Sequence, residues 1–497
     1  MYVWHVLLSC ALVLTACKMG PDYERPVEPT KEGWRLAPTT SESIANLPWW
    51  ELLEDPELQK LVNVALKENL DLRMAAANIE QFQAQLVISK WDLAPSVGYK
   101  AGAFWYRNTN NAINIGDSGI IPGLEGDSST GVNFANERAK VGLKWEIDLW
   151  GKIRRSIEAT RANLLSKVEN QRAVIIGLVS DVAQAYFDLR SLDLQIEITK
   201  STLKAWEDSV RLSELRFNHG DVSKLDVDRF RAERAGTAAQ LAVLERDVVK
   251  KENQISLLLG NRPTKISRGR ALTNQPIPPE IPPGLPSDLL ERRPDILEAE
   301  QVLANATANV GVAQARRFPE LNLTSAIGGA SIQLSSLSLG PFATMSATGF
   351  LSGPLLNATA LGYQVDVFEA RTKAALAQYD KTVLTAFKEV EDALITVQKT
   401  KSQRKAQEDQ VAALKDALRL ADLRYQGGRA SYLDVLTAQR ALFDAELALV
   451  DTRRTQMNSV VQLYKALGGG WESVEEQMLA APDASDVEAS ETPSEPS

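Results

Sequence analysis

The sequence predicts a mainly α-helical, internally duplicated fold with a small β portion in each copy. Three observations carry this. The stretch 211–227 (RLSELRFNHGDVSKLDV) recurs at 419–435 (RLADLRYQGGRASYLDV), an offset of 208 from residue 211 to residue 419. Long segments flanking both stretches space their apolar residues by four and three, the heptad seam of a coiled coil. Between the first and second helical segment of each copy the period falls to two, which is strand spacing. In both recurring stretches a helical pattern runs into a glycine, Gly220 or Gly428, and a new one opens at Ser223 or Ser431 just before a Leu-Asp-Val string. Each reads as the tip of a helical hairpin, near 217–223 and 425–431.

Taken in order, residues 1–16 read as a signal peptide, because their apolar stretch 6–16 is shorter than the roughly 20 residues a bilayer span needs. Leu14, Thr15, Ala16 and Cys17 resemble a bacterial lipobox. Cleavage there would leave Cys17 bearing a covalent lipid, a diacylglycerol and an N-acyl chain, and would make 17–48 a lipid-anchored segment. The segment before it has His5 but no Lys or Arg, so a chance cysteine in a cytosolic start is the alternative. Lys18, where an aspartate would signal inner-membrane retention, favours outer-membrane sorting by resemblance to bacterial lipoproteins.

The first repeat spans 49–260 and opens on Trp49, Trp50 and Asp55-Pro56. An amphipathic helix is expected over 57–91, and a far longer one over 152–217, which at 1.5 Å per residue reaches on the order of 100 Å. Its seam runs Leu178, Val182, Ala185, Leu189, Leu192, Ile196, Thr199, Leu203, Trp206 and Val210. The return helix, 222–259, continues the seam through Leu241, Leu244, Val248, Ile255 and Leu258, interrupted by Lys251. A proline-dense linker, 261–287, cannot be helix throughout and joins the copies. The second repeat, 288–470, repeats the pattern, with Arg440 and Arg454 at seam positions of its return helix. The tail 471–497 is acidic with Ser and Pro and is expected to be disordered.

Four stretches carry the period of two: 96–107, 139–149, 320–328 and the Thr/Ser/Ala-rich 342–351. The clearest puts Ala139, Val141, Leu143, Trp145, Ile147 and Leu149 on one face and Lys140, Gly142, Lys144, Glu146 and Asp148 on the other. The segments 108–137 and 329–340 read as surface loops. Alternation of this kind fits either transmembrane strands, which need about 9 to 11 residues, or a small periplasmic sheet buried on one face. Four strands cannot close a barrel, since the smallest membrane barrels use about eight, so membrane strands would require several chains to share one barrel.

Several chemistries are excluded. A formal charge of −9 over 497 residues leaves no basic excess for gripping nucleic acid. His219 is the one histidine beyond the signal segment, it sits at a tip without partners, and no thiol remains apart from Cys17, so neither a metal site nor His- or Cys-based catalysis is expected. The glycine clusters at Gly427 and Gly468 sit at helix ends, where capping accounts for them. The chain is not expected to be an enzyme or to need a cofactor.

The string Arg293, Pro294, Asp295, Ile296, Glu298, Ala299, Glu300, then Ala308, Asn309, Val310, Gly311, Ala313, Ala315, Arg316, Phe318, Pro319 resembles a motif of TolC-type outer-membrane efflux proteins, the outer membrane factor family. The 50–58 opening, the two Leu-Asp-Val tips and the lipobox agree with the lipoprotein branch of that family. The resemblance covers about 17–470 and implies a homotrimer in which each chain gives four strands to a 12-stranded barrel and its hairpins to a periplasmic α-barrel. It implies a passive outer-membrane exit duct for drugs or other small molecules. The expected partners are a periplasmic adaptor (membrane fusion protein) and an inner-membrane transporter of the resistance-nodulation-division (RND) type. It also implies a periplasmic gate, carried here by Leu433 and Asp434, since the other carboxylate position of relatives is Thr437. Gly220, Ser223, Gly428 and Ser431 are the expected adaptor-docking tips, although glycine turns and serine caps explain the same residues, and Asp434 could equally cap its helix. A duct for secreted polypeptide and a pore-less, lipid-anchored coiled-coil scaffold are the alternatives.

Overall fold

The computed structural model describes residues 18–27, 33–34, 50, 53–108, 132–276, 286–331 and 343–469. Cys17, the signal segment and the acidic tail lie outside the described residues. In chain order the elements are α1 (Pro56–Glu68), α2 (Leu70–Trp91), β1 (Ser96–Asn108), β2 (Val132–Ile147), α3 (Lys152–Asn218), α4 (Lys224–Leu258), α5 (Asp288–Arg292), α6 (Pro294–Ala315), β3 (Glu320–Ser331), β4 (Ala343–Ser352), α7 (Ala358–Gln426) and α8 (Tyr432–Ala466). The duplication is visible in lengths: α3 and α7 have 67 and 69 residues, and both return helices, α4 and α8, have 35. None of the described helices is long and apolar enough to cross a membrane.

Two expectations need correction. The helix expected over 57–91 is two helices, because Asn69 ends one and starts the next. Its extended backbone (ψ 133°) stops α1, its Oδ1 accepts from the amide of Leu72 at 3.0 Å, and its Nδ2 donates to the Leu258 carbonyl at 2.8 Å. Gly260 makes room for this meeting, since a Cβ there would strike the Glu68 carbonyl. The second correction is that β2 begins at Val132, so 132–137 is strand rather than loop, and β3 runs on to Ser331.

The chain divides into two compact units. One comprises Met1–Arg25, Gln81–Leu164 and Gln301–Leu376, and the other Pro26–Glu80, Leu165–Glu300 and Ala377–Ser497. The first holds a single antiparallel sheet in the order β1-β2-β3-β4, in which β2 and β3 join the two copies. Register places Tyr99, Val141, Ile327 and Met345 in one row across all four strands, and they are 85%, 49%, 54% and 84% exposed. The next row, on the opposite face, is Lys100, Lys140, Gly328 and Thr344. A periplasmic sheet buried on one face would cover the apolar row. Nothing in the described chain covers it, and β1 and β4 are left as edges.

In the second unit the heptad seams are buried. Val182, Ala185, Leu189, Thr199, Trp206 and Val210 of α3 are at most 4% exposed, and so are Val450, Met457, Val461 and Tyr464 of α8. Much of this seam packs with Leu58, Val62 and Ile255 in one large core. Asp55, fully buried, caps α1 through the Glu57 amide and accepts from the Tyr186 hydroxyl (2.7 Å), Gln275 Nε2 (2.6 Å) and the Arg270 amide (3.2 Å). That fastens the first residues of the inter-repeat segment to the helical core. Arg293, from the family-like string, does the same for the second copy: it donates to Asp295, to Glu389 of α7 (2.7 Å) and to the Ala466 carbonyl at the end of α8 (2.7 Å).

The three cations that interrupt the seams all meet carboxylates on other helices. Lys251 of α4 and Arg454 of α8 both reach Asp188 of α3 at 3.1 Å, Asn458 donates to the same carboxylate at 3.1 Å, and Arg440 lies 3.4 Å from Glu233 of α4. Asp188 therefore bridges the first hairpin to the second copy. Removing it leaves two cations facing each other without their shared acceptor, so Asp188→Ala should lower stability by about 1–2 kcal/mol and more than Lys251→Ala does, as read by thermal or denaturant unfolding.

Candidate functional site

Both recurring tips lie in the second unit and are built alike. At the first, Gly220 takes φ +82°, and the amide of Asp221 donates back to the Arg216 carbonyl at 2.9 Å, which ends α3 in a left-handed cap. At the second, Gly428 takes φ +67°, and Arg429 donates to the Arg424 carbonyl at 2.8 Å. A side chain at either glycine would be strained by that φ, yet a Cβ there meets nothing within 4 Å. The space over both turns is open.

Ser223 and Ser431 are the N-caps of α4 and α8, and each closes a capping box with the aspartate three residues on. Asp226 Oδ2 accepts from the Ser223 amide at 3.3 Å, and Asp434 Oδ2 accepts from the Ser431 amide at 3.0 Å. Turn and cap chemistry is thus present at all four tip residues. Asp434 is exposed, as is Leu433 at 50%, matched by Leu225 at 59% in the first copy. The same pairing of exposed leucines extends back along the outgoing helices to Leu215 with Leu423 and Leu212 with Leu420.

The copies differ most where Lys224 of the first becomes Tyr432 of the second. Lys224 is exposed, but Tyr432 is buried, its ring 4.2 Å edge-on from Phe230 of α4. Trp206, Val210 and Leu436 complete this cluster, with Tyr425 packed against it and the Arg216 guanidinium over the Tyr425 ring at 4.5 Å. The two tips are therefore locked together by aromatic packing that crosses between the copies. Sequence comparison of the repeats flags position 432 as divergent but not as a contact, because its partner, Phe230, lies on a different hairpin. Among the described residues no cluster of three or more His, Cys, Asp or Glu is placed to hold a metal.

The outer membrane efflux protein family matches this chain over 61–261 and 285–469. The chain is 35% identical over 473 residues to the toluene efflux pump outer membrane protein TtgC of Pseudomonas putida, covering 94% of this chain and 95% of that one. It is 32% identical over 467 residues to the cation efflux system protein CusC of Escherichia coli, covering 93% and 97%. Among solved structures, the outer-membrane channel OprN superposes with a TM-score of 0.82 at 29% identity over 92% of this chain and 100% of that one. A CusC structure superposes with a TM-score of 0.80 at 31% identity over 91% and 100%.

The Tyr432 hydroxyl is buried without a hydrogen bond, and burial, reinforced by the nearby Asp226 charge, pushes its pKa up to about 12. A tyrosine ionising near 10 when unfolded then contributes stability below pH 10 that is lost as pH rises toward 12. Tyr432→Phe should be nearly neutral at pH 7 and should blunt the loss of melting temperature between pH 10 and 12, measured by circular dichroism.

Proposed function

Because the chain belongs to the outer membrane efflux protein family, we propose that it works as a homotrimeric exit duct of a tripartite efflux system. Three copies would place 12 strands in one barrel and six hairpins in a periplasmic tube. The single observation that carries this reading is the sheet, a four-stranded, open-edged ladder whose apolar row faces outward uncovered. In lipid every backbone donor and acceptor on such an edge must be paired, and the next copy is the symmetric source of a partner strand.

Flow through the duct is passive, and the inner-membrane pump, of the RND type and linked by a periplasmic adaptor, supplies energy and selects the small-molecule cargo. The adaptor docks at the tips, where open space over Gly220 and Gly428 and the caps at Ser223 and Ser431 leave the turns clear for an approaching hairpin. Cys17 carries the lipid anchor. Leu433 and Asp434 form the periplasmic constriction, an apolar ring that resists ions when closed and a carboxylate ring that disfavours anions.

Asp434 has two roles open to it, and its repeat partner separates them. Asp226 closes the same capping box in the first copy. In planar bilayers, purified heat-modifiable trimers of Asp434→Ala should show raised conductance and weakened cation preference, while Asp226→Ala stays near wild type. Equal effects of the two substitutions would reduce Asp434 to a helix cap, and a chain that forms no conducting trimer would remove the duct reading.

A further inference from the structure

The face of the sheet opposite the apolar row is basic along its middle. Register sets out three successive rows there: Ser96, Lys144, Thr324 and Thr348; then Gly98, Gly142, Ala326 and Ser346; then Lys100, Lys140, Gly328 and Thr344. Apart from the lysines, these rows hold nothing larger than threonine. Lys100, Lys140 and Lys144 are exposed, and among the described residues none of the three pairs with a carboxylate. Arg138 extends the same face by one more row, opposite Gly102.

The carboxylates of this face sit at its helix-proximal end and are already engaged. Lys152 of α3 lies 2.5 Å from both Glu146 and Glu320. Asp148, just past β2, holds the Arg154 guanidinium at 3.1 Å and accepts from the amides of Ile153 and Arg154. Negative charge there is balanced locally, whereas the positive charge of the three rows is not.

This placement works against the sheet's own stability. Lys100 and Lys140 stand directly opposite each other, with Cβ atoms roughly 4.5–5.5 Å apart, where like charges repel. Lysine on an edge strand guards against edge-to-edge pairing, and Lys100 on β1 fits that role. Lys140 and Lys144 do not fit it, because β2 lies inside the sheet. Beside Lys140, Gly328 leaves its flank bare, since a Cβ there would fall 2.6 Å from the Lys140 Cα.

We propose that in the assembled duct this face is a basic belt around the barrel lumen that receives small anionic solutes bearing carboxylate or phosphate groups. The inference rests on the exit-duct reading, which sets three copies of the belt around one lumen. Belt and constriction then oppose each other: the Asp434 carboxylates disfavour anions, and the lysines favour them. The field of the belt reaches about 8 Å into the lumen at physiological salt and roughly 30 Å at about 0.01 M, so the anion preference grows as salt falls.

Planar bilayers holding purified full-length trimer under a KCl gradient test this, in an Asp434→Ala parent that lowers the cation preference of the constriction. One variant combines Lys100→Gln, Lys140→Gln and Lys144→Gln, and a second places Arg at the same three positions. The Gln variant should raise the potassium-to-chloride permeability ratio about threefold at about 0.01 M salt and hardly at all at about 1 M, while the Arg variant keeps the ratio of the parent. Inositol hexakisphosphate added on the barrel side should block the parent and the Arg variant at concentrations about tenfold lower than it blocks the Gln variant. A Gln variant that matches the parent at low salt in both readouts overturns the belt, and so does an Arg variant that behaves like the Gln one. Should the combined Gln variant fail to assemble, Lys140→Gln alone carries the same test with a smaller shift, and no shift overturns the belt. A wild-type chain that forms no conducting trimer removes the duct reading and the lumen with it, whereas a conducting trimer indifferent to the lysines removes the belt alone.

Discussion

A β-sheet that enters lipid must leave no backbone group unpaired, and this chain supplies only four described strands. Every other feature can be ordered around that constraint. A closed barrel abolishes edges, but four strands are too few to close on themselves, so the fold is finished only when β1 of one copy meets β4 of another. The row Tyr99, Val141, Ile327 and Met345 is consistent with this geometry, because it is uniform across all four strands and faces away from anything the described chain itself offers. The opposite row, with Lys100 and Lys140, is then the water-facing one. Gly328 keeps that face tightly paired, since a Cβ there would strike the Ala139 carbonyl and the Lys140 Cα.

The helical half obeys a different rule, that of the repeat. Two copies of one hairpin plan bring equal seams together, and equal seams by themselves do not specify which helix packs on which. The polar residues at the seam supply that information. Asp188 accepts from Lys251 of its own hairpin and from Arg454 and Asn458 of the second copy, while Arg440 answers Glu233 across the same division. Each cation that breaks the heptad pattern in the sequence has its carboxylate on another helix. A half-buried ion pair adds little net stability, but a misregistered one leaves a charge stranded, which is how such groups fix register.

Long-range partners also mark the line between what the sequence could and could not convey. Helices α3, α4, α7 and α8 are legible because burial on one face imprints a local heptad pattern, and the strands because their side chains alternate between two faces. The capping serines and left-handed glycines at the tips are equally local. What periodicity misses are features fixed by contacts distant in the chain: the break at Asn69, set by the Leu258 carbonyl and Gly260; the burial of Tyr432, set by Phe230; and the close approach of Gly311 to the Met19 carbonyl. Strand 132–137 escapes for another reason, since its Asn- and Glu-containing stretch resembles the polar loop before it. Gly311 shows the point most clearly. As a letter in a family-like string it reads as a small residue on a helix, and only the Met19 carbonyl, 2.7 Å from where its Cβ would sit, explains why nothing larger fits.

The imperfection of the repeat bears on how such a tube could open. The tip glycines, serines and aspartates are equivalent in both copies, so their chemistry cannot distinguish a moving hairpin from a fixed one. Tyr432 can, because it wedges the second copy's return helix against Phe230 while the equivalent Lys224 stays in solvent. Leu433 and Asp434 follow directly on that wedge, with Asp434 tied to the Ser431 amide. Were the proposed ring at 433 and 434 to widen, either the first hairpin, with Phe230, would have to move along or Tyr432 would have to leave its pocket. Withdrawal would expose a buried aromatic ring to water, a cost on the order of 1.5–3 kcal/mol per chain. A joint movement of both tips keeps Tyr432 against Phe230 and leaves the capping boxes intact, and is the less costly path.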